Sequence, residues 1–445
     1  MHKHKQQQQH NGISELVTSF SALERRLDTH SPTNIDGPAW TTLHYTFHAH
    51  RAGILVMIDY GVVELVPFVN THFDNRLVLH GTKLGLVLPS GTEATSTAEY
   101  FATKAEKTRQ PVEDFIPQVE AWWFNGHVVC NVPAPSGAPL WSARGLTELY
   151  DMIASAAALP GTPQRARLVL NKRDAPLLPL HPPLHPLWRS RAFTRPLSLY
   201  GGPRFHDVLV PTPEHWALAC THAQDWNDPP PWHVRASRAV FRGTATGPGV
   251  TLGHNQRLAL AAWGLAHTDI ADVALTALSM RDRIVSPPAV SSALMVRTRV
   301  AHVMFMDATA LEGSVRRAPV MSPRAQAAAF KYQIYVDGHS ASSRLAWLLL
   351  SQSLVLMVES PVDVAAPDMW LTRALALRPH EHYVPVRSDL HDLELKIRWA
   401  REHDADAQRI ALAGCAAATA VLQQSVMTRA VAAAISCAIA PIIAL

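Results

Sequence analysis

Three short segments carry side chains suited to a charged ligand: "FRGTATG" with Arg242, "HSASSR" with Arg344 and "NKRDAP" with Asp174. The first two read as strand-to-helix junctions, each setting an arginine beside small residues. Backbone N–H groups at a helix start lack intrahelical partners and carry partial positive charge, so phosphate oxygens settle there. Gly243 and Gly247 let the backbone come close, and a guanidinium adds two parallel charge-assisted hydrogen bonds while staying protonated. Together the two arginines are expected to clamp a diphosphate. The competing reading makes the glycines turn residues and the arginines surface charges. Asp174 follows the apolar run "RLVLN" and stands at the C-terminal end of an expected strand, where open α/β sheets bind ligands. An ion pair with Arg173 or Lys172 is the alternative.

Other segments imitate chemistry. "DAD" at Asp404 to Asp406 resembles a metal-binding D-x-D but opens a helix, where capping suffices. His380 and His382 in "RPHEHYVPV" alternate along an expected strand and supply two ligands, too few for a metal site. Trp122 and Trp123 in "EAWWFNG" have faces that could stack on a sugar, but core packing is the expected job. Cys130, Cys220, Cys415 and Cys437 have neither C-x-x-C spacing nor histidines at ligand intervals, so no zinc site or disulfide framework is expected.

The elements that must position these residues follow an α/β grammar. Residues 52–69 read as a hairpin turning around Asp59 to Gly61. Residues 146–158 place Leu149, Ile153 and Ala156 on one helical stripe, and "RLVLN" then reads as a buried parallel strand. Prolines crowd the chain from Ala175 to Trp232, which argues against a long regular element there and puts a domain crossing near residue 205. Beyond it, "RAVFRGTATGPG", "KYQIYVDG", "SLVLMVES" and "HYVPV" read as strands alternating with helices. One of those helices, carrying Leu390, Leu393 and Ile397, is capped by Ser388. Such alternation predicts a parallel sheet.

The chain has 445 residues, 48% hydrophobic and 17% charged, enough for two domains with full cores. A formal net charge of +4 spread along the chain, without a basic cluster interleaved with aromatics, argues against nucleic-acid binding. "MHKHKQQQQHNG" lacks an apolar core, so a flexible lead-in and a cytoplasmic protein are expected. The terminal run from Ala430, short and interrupted by Pro441, is expected to pack on the body rather than enter a membrane.

"FRGTATG" with "NQRLALA", then "KYQIYVDGHSASSRL", "SLVLMVESP" and "LRPHEHYVPVRSDLHDLELKIRWAREHDADAQRIALAG", in that order, resemble the CAP10-like glycosyltransferases of family 90, which include Rumi-type O-glucosyl- and O-xylosyltransferases. The match runs from about Ala239 to Gly414, with a fainter extension through "LVLNKRDAPL". The resemblance implies an α/β fold of GT-B type, with two Rossmann-like parallel-sheet domains facing a cleft and a C-terminal helix packing back on the body. The divisions expected are a flexible lead-in at 1–35, an acceptor-side domain at 36–205, a nucleotide-sugar domain at 206–414 and a helical segment at 415–445.

The resemblance further implies a UDP-sugar donor, inversion at the anomeric carbon and a protein or glycan acceptor. Asn171, Arg173, Asp174 and Pro176 match the family's "N-x-R-D-x-P", which makes Asp174 the candidate general base. Arg242, Ser342 and Arg344 match positions that line the nucleotide and diphosphate pocket. Gly243, Thr244, Thr246, Arg257 and Gly338 join them as candidate binding residues, with Asp337 the weakest assignment. No metal is expected to be required, although manganese serves some capsule-type relatives. The chain shows no signal peptide and ends in "IIAL" rather than a retention tetrapeptide, which sets it apart from luminal members. The rival readings are a degenerate transferase kept as a binding or scaffold protein, and a membrane-surface protein held by its last helix.

Overall fold

The computed structural model describes residues 12–28, 37–50, 52–70, 121–124, 127–131, 142–174, 176–178, 180, 191–203, 205–226, 229–247, 252–253, 255–279, 283–285, 302–304, 311, 313–360 and 368–443. Two five-stranded sheets with helices packed against them form two Rossmann-like α/β halves.

The first sheet contains β1 (Ala52–Asp59), β2 (Val62–Val69), β3 (Arg165–Asn171), β4 (Leu197–Ser198) and β5 (Val208–Leu209), in the order β2-β1-β3-β4-β5. β1 and β2 are the expected hairpin, closed by Tyr60 and Gly61 at φ 49° and 84°, the pair of positive angles that a tight hairpin turn needs. β3 runs antiparallel to β1 and parallel to β4, so only the β3-β4-β5 side of this sheet has the expected parallel character. Helix α3 (Leu146–Ala157) buries Leu149, Ile153 and Ala156 against this sheet, as the stripe predicted.

Two expectations about this half need correction. Residues from Gly12 onward are no loose lead-in. Ser14 and Val17 donate backbone hydrogen bonds to Leu65 and Pro67 along the open edge of β2, and α1 (Phe20–Asp28) buries Leu23 beside Leu43 of α2 (Pro38–Tyr45), Phe47 and Phe68. An edge strand with unpaired backbone groups gains by such cover. The proline-rich stretch also holds a thirteen-residue helix, α4 (Pro213–Asp225). Pro213 occupies the first turn, where a missing N–H costs nothing, and Thr212 caps the helix by accepting from His215 N. The first sheet therefore extends past residue 205, and the chain crosses to the second sheet after α4, near the later run Pro229 to Pro231.

The second sheet is parallel throughout: β6 (Ala236–Ala245), β7 (Ala271–Leu278), β8 (Phe330–Tyr335), β9 (Leu354–Val358) and β10 (Val384–Val386), in the order β7-β6-β8-β9-β10. Its core joins Phe241, Tyr332, Ile334 and Leu356 to α5 (Gln256–Ala266) and α7 (Leu393–Glu402). α7 starts later than expected: Ser388 does not cap it, and Leu390 sits in the preceding turn at φ 62°. His380 and His382 also lie in a turn, not on the strand. His380 has φ 62°, and His382 Nδ1 accepts from Arg378 N at 2.9 Å. A small antiparallel sheet pairs Ala121–Phe124 and His127–Asn131 with Arg283–Val285 and His302–Met304. The side chains of Trp122 and Trp123 lie outside the described residues.

The last described helix and strand return to the first half. After α8 (Asp404–Val421), helix α9 (Gln424–Ala438) buries Met427, Val431 and Ile435 in the core of the first sheet, each worth about 2 kcal/mol of apolar burial. Ile442 and Ile443 then pair with Phe193 and Ala192. No single helix among the described residues is long and apolar enough to cross a membrane. Asp404 at the start of α8 accepts from Trp232 Nε1 at 3.0 Å and pairs with Lys331 Nζ at 2.8 Å, which ties the helix to the second sheet rather than capping it.

Candidate functional site

The second sheet presents two loops at the C-terminal ends of neighbouring strands, one after β6 and one after β8. Arg257, in the first turn of α5, joins them. Its guanidinium donates to the carbonyls of Thr244 (2.9 Å), Val336 (3.0 Å) and Asp337 (2.9 Å), and to Thr246 Oγ1 (2.7 Å). Burial pushes Arg257 down to about 10, against the pull of Asp337. The loop after β8 is braced again by Asp337. One of its oxygens accepts from the Tyr335 hydroxyl at 2.6 Å and the other from Ser360 Oγ at 2.5 Å. A Cβ on Gly338 would come within 2.7 Å of Thr246 Oγ1, so the close approach of the two loops requires glycine there.

Arg344 lies beside this rivet. Its guanidinium sits 4.8 Å from the centre of the Phe241 ring and 5.4 Å from that of Trp347, and a Cβ on Gly243 would meet its Nη1 at 2.9 Å. Its Nη2 is buried and has no hydrogen-bond partner. Burial, with the nearby Arg257 charge, pushes Arg344 down to about 9, so it stays a cation at neutral pH. An interior guanidinium with an unmade hydrogen bond is costly, and an anion with free oxygens relieves that cost.

Arg242 does not share this place. Alternation along β6 sends it to the face opposite Phe241 and Gly243. There it pairs with Asp272 at 2.7 Å, and Arg316 reaches the other Asp272 oxygen at 2.6 Å. The expected clamp of Arg242 with Arg344 is therefore not formed; the second guanidinium near Arg344 belongs to Arg257, whose donors are spent on the protein. The helix starts are occupied too. Asn255 accepts from Arg257 N and Leu258 N, and Ser342 N donates to the Tyr335 hydroxyl at 2.9 Å. The α6 helix (Leu345–Leu350) that follows has only six residues. Thr244, Thr246, Gly338 and Asp337 thus shape the loops, and Arg344 is the candidate arginine with a buried nitrogen, Nη2, that has no hydrogen-bond partner.

Asp174 follows the end of β3 in the first half. Fully buried Asn171 donates to Ser198 Oγ at 3.2 Å and accepts from Arg173 N at 3.0 Å, folding the strand end into its turn. Lys172 Nζ reaches the carbonyls of Ser142 and Arg144, and Arg173 reaches that of His50 at 2.7 Å. Tyr200 links this turn to the second half. Burial and the Asp174 charge push its phenol well above the ordinary tyrosine range, against the pull of the Ser340 side chain. His215, from the first turn of α4, brings Nε2 to 3.3 Å from the Ser343 carbonyl. Burial pushes His215 down to about 4, so the neutral ring donates there. Tyr200 and His215 thus connect the first half to the Ser340–Ser343 loop that precedes Arg344. Both bridging residues escaped the sequence reading because they fall in the proline-rich stretch; "TPEH", a cap followed by Pro at the first helical position, was the available signal. Among the described residues, no group of three or more His, Cys, Asp or Glu is placed to hold a metal ion.

Residues 206–430 match the model of glycosyl transferase family 90. The chain is 31% identical, over 86% of its length, to 40% of the uncharacterized protein 027R of Frog virus 3. It is 24% identical, over 83% of its length, to 34% of the uncharacterized protein 179R of Invertebrate iridescent virus 6. A 94-residue stretch, 21% of the chain, is 43% identical to 17% of protein O-glucosyltransferase 3 of Rattus norvegicus. The chain spans well under half the length of each of these relatives.

Proposed function

We propose, because the chain belongs to glycosyl transferase family 90, that it moves a sugar from a UDP-sugar to a hydroxyl of a protein or glycan acceptor with inversion at the anomeric carbon. Glucose is the first sugar to test, given the name of the O-glucosyltransferase relative, and xylose the second. In this reading the nucleotide diphosphate settles on the second half. Arg344 Nη2 donates to it and receives the charge that develops as the bond from the anomeric carbon to the diphosphate oxygen breaks. The acceptor oxygen attacks from the side of the first half, and Asp174 takes its proton as the new bond forms. The observation that supports the reading is Arg344 Nη2, buried and without a hydrogen-bond partner, in the loop that Tyr200 and His215 connect to the first half. The reaction is proposed to need no divalent cation, with Arg344 supplying the positive charge.

The test is UDP titration together with UDP-glucose and UDP-xylose turnover, with and without EDTA, in the full chain and in two variants. Arg344→Ala is expected to weaken UDP binding, and Asp174→Asn to keep UDP affinity while losing transfer. A wild-type chain without UDP affinity would leave a family member that serves as a scaffold.

A further inference from the structure

We propose that Asp207 is a positioning residue that sets the Asp174 turn for chemistry, an inference that rests on the reading of Asp174 as the base. Asp207, half-buried, directly precedes β5, and both of its carboxylate oxygens are engaged. Oδ1 accepts from Leu177 N at 2.7 Å and from Ser198 Oγ at 2.5 Å, and Oδ2 accepts from Leu178 N at 2.8 Å. Leu178 is gripped from both sides, since its carbonyl accepts from His206 N at 2.7 Å. Ser198 in turn accepts from Asn171, the last residue of β3. The turn that carries Asp174 is therefore tied at its start through Asn171 and Ser198, and at its end through Leu177 and Leu178, to one buried carboxylate.

The chemistry of the partners explains why an acid stands there. Two backbone N–H groups and one hydroxyl all present hydrogens, so the group among them must accept only, which an ionised carboxylate does and an amide does not. Burial pushes Asp207 up to about 6, while Ser198 and the two leucine N–H groups pull it down, so it is ionised at neutral pH. A buried charge is an expensive way to hold a loop. None of its contacts reaches the second half, where the nucleotide is proposed to bind, so its influence falls on the placement of Asp174 and not on donor affinity.

The test is Asp207→Asn in the full chain, with UDP titration and UDP-glucose hydrolysis. An asparagine oxygen can take one leucine N–H, but its amide hydrogens oppose the other, so one end of the turn is released. The expected result is a loss of about 100-fold in kcat, the size a base displaced by about 1 Å can produce, with KM and UDP affinity within about twofold of wild type. A residue that only supports the fold would lower UDP-binding capacity and kcat together, and that outcome overturns the proposal, as does wild-type kcat in the variant. Should Asp207→Asn fail to fold, Ser198→Ala removes one hydrogen bond from the carboxylate and the link to Asn171. It is expected to lose about tenfold in kcat at unchanged UDP affinity, and wild-type kcat there also overturns the proposal. If the wild-type chain binds no UDP, the underlying reading falls and this inference with it, a result distinct from an active wild type that tolerates Asp207→Asn.

Discussion

On the first-half side of the junction the bracing charge is a carboxylate, Asp207, which collects two backbone N–H groups and a hydroxyl; on the second-half side it is the Arg257 guanidinium, which collects three carbonyls and a hydroxyl. Each is the complement of the backbone groups that its loop turns inward. The sides differ in what remains. Beside Arg257, Arg344 Nη2 is left buried without a partner, which is where the diphosphate is proposed to settle. The first half offers Asp174 on a turn already tied at both ends. Binding free energy is therefore expected to come from one side and the proton transfer from the other, and variants on the two sides should separate affinity from turnover.

The largest effect should come from Asp174→Asn, which removes a proton acceptor worth about 1,000-fold in kcat while leaving UDP affinity unchanged. Loss of UDP affinity in that variant would break the separation. Next in size is Arg242→Ala. The Asp272 carboxylate, pushed up by burial but held below its ordinary range by Arg242 and Arg316, would lose its more deeply buried partner. A cost of about 3 kcal/mol in unfolding free energy is expected, with UDP affinity intact in the folded fraction. Arg344→Ala should do the reverse. UDP binding weakens about 30-fold, about 2 kcal/mol, as a charge-assisted hydrogen bond is lost, while the ligand-free chain is destabilised less than by Arg242→Ala. Titration calorimetry beside denaturant unfolding measures both quantities. Equal behaviour of the two arginine variants would erase the distinction drawn between them.

Those two arginines mark how far the sequence could be read. The parallel second sheet was legible because strand and helix alternate along β6, α5, β8 and β9 with apolar runs of the right length, and the β1–β2 hairpin because Tyr60 and Gly61 interrupt two apolar runs. Arg344 and Asp174 were proposed on strand-end placement and family motif. Arg242 carried the same local signal as Arg344, but its direction depends on which face of β6 it occupies and on Asp272 thirty residues away, a pairing that only the fold creates. Arg257 was named as a binding residue, but its hydrogen-bond partners are backbone carbonyls of distant residues and have no sequence signature. Asp207, Tyr200 and His215 were hidden by the prolines around them, which suggested a linker although Pro213 begins a helix. α1 was hidden likewise, because the polar tail ahead of it gave no hint that residues 12–17 would cover the edge of β2.

The smallest expected effect concerns how His215 holds the two halves together as pH changes. The buried ring is pushed from its ordinary value of 6.5 down to about 4, because the interior disfavours the imidazolium. A lowered histidine contributes stability that is complete above about pH 6.5 and is lost as pH falls toward 4, since the unfolded chain then binds a proton that the folded chain refuses. Asp207 has the opposite sign. Its raised carboxyl contributes fully below its ordinary value and loses that contribution as pH rises toward 6, so the two partly offset each other on acidification. Wild-type stability alone therefore hides the histidine, and the informative quantity is the gap between wild type and His215→Gln, a variant that keeps a donor for the Ser343 carbonyl. From pH 7 to about pH 5.5 that gap should narrow by about 1 kcal/mol, because only the wild type loses the histidine contribution. A gap unchanged with pH would mean that the ring at the junction is open to protons, and with it that the two halves do not close tightly around the Ser343 carbonyl.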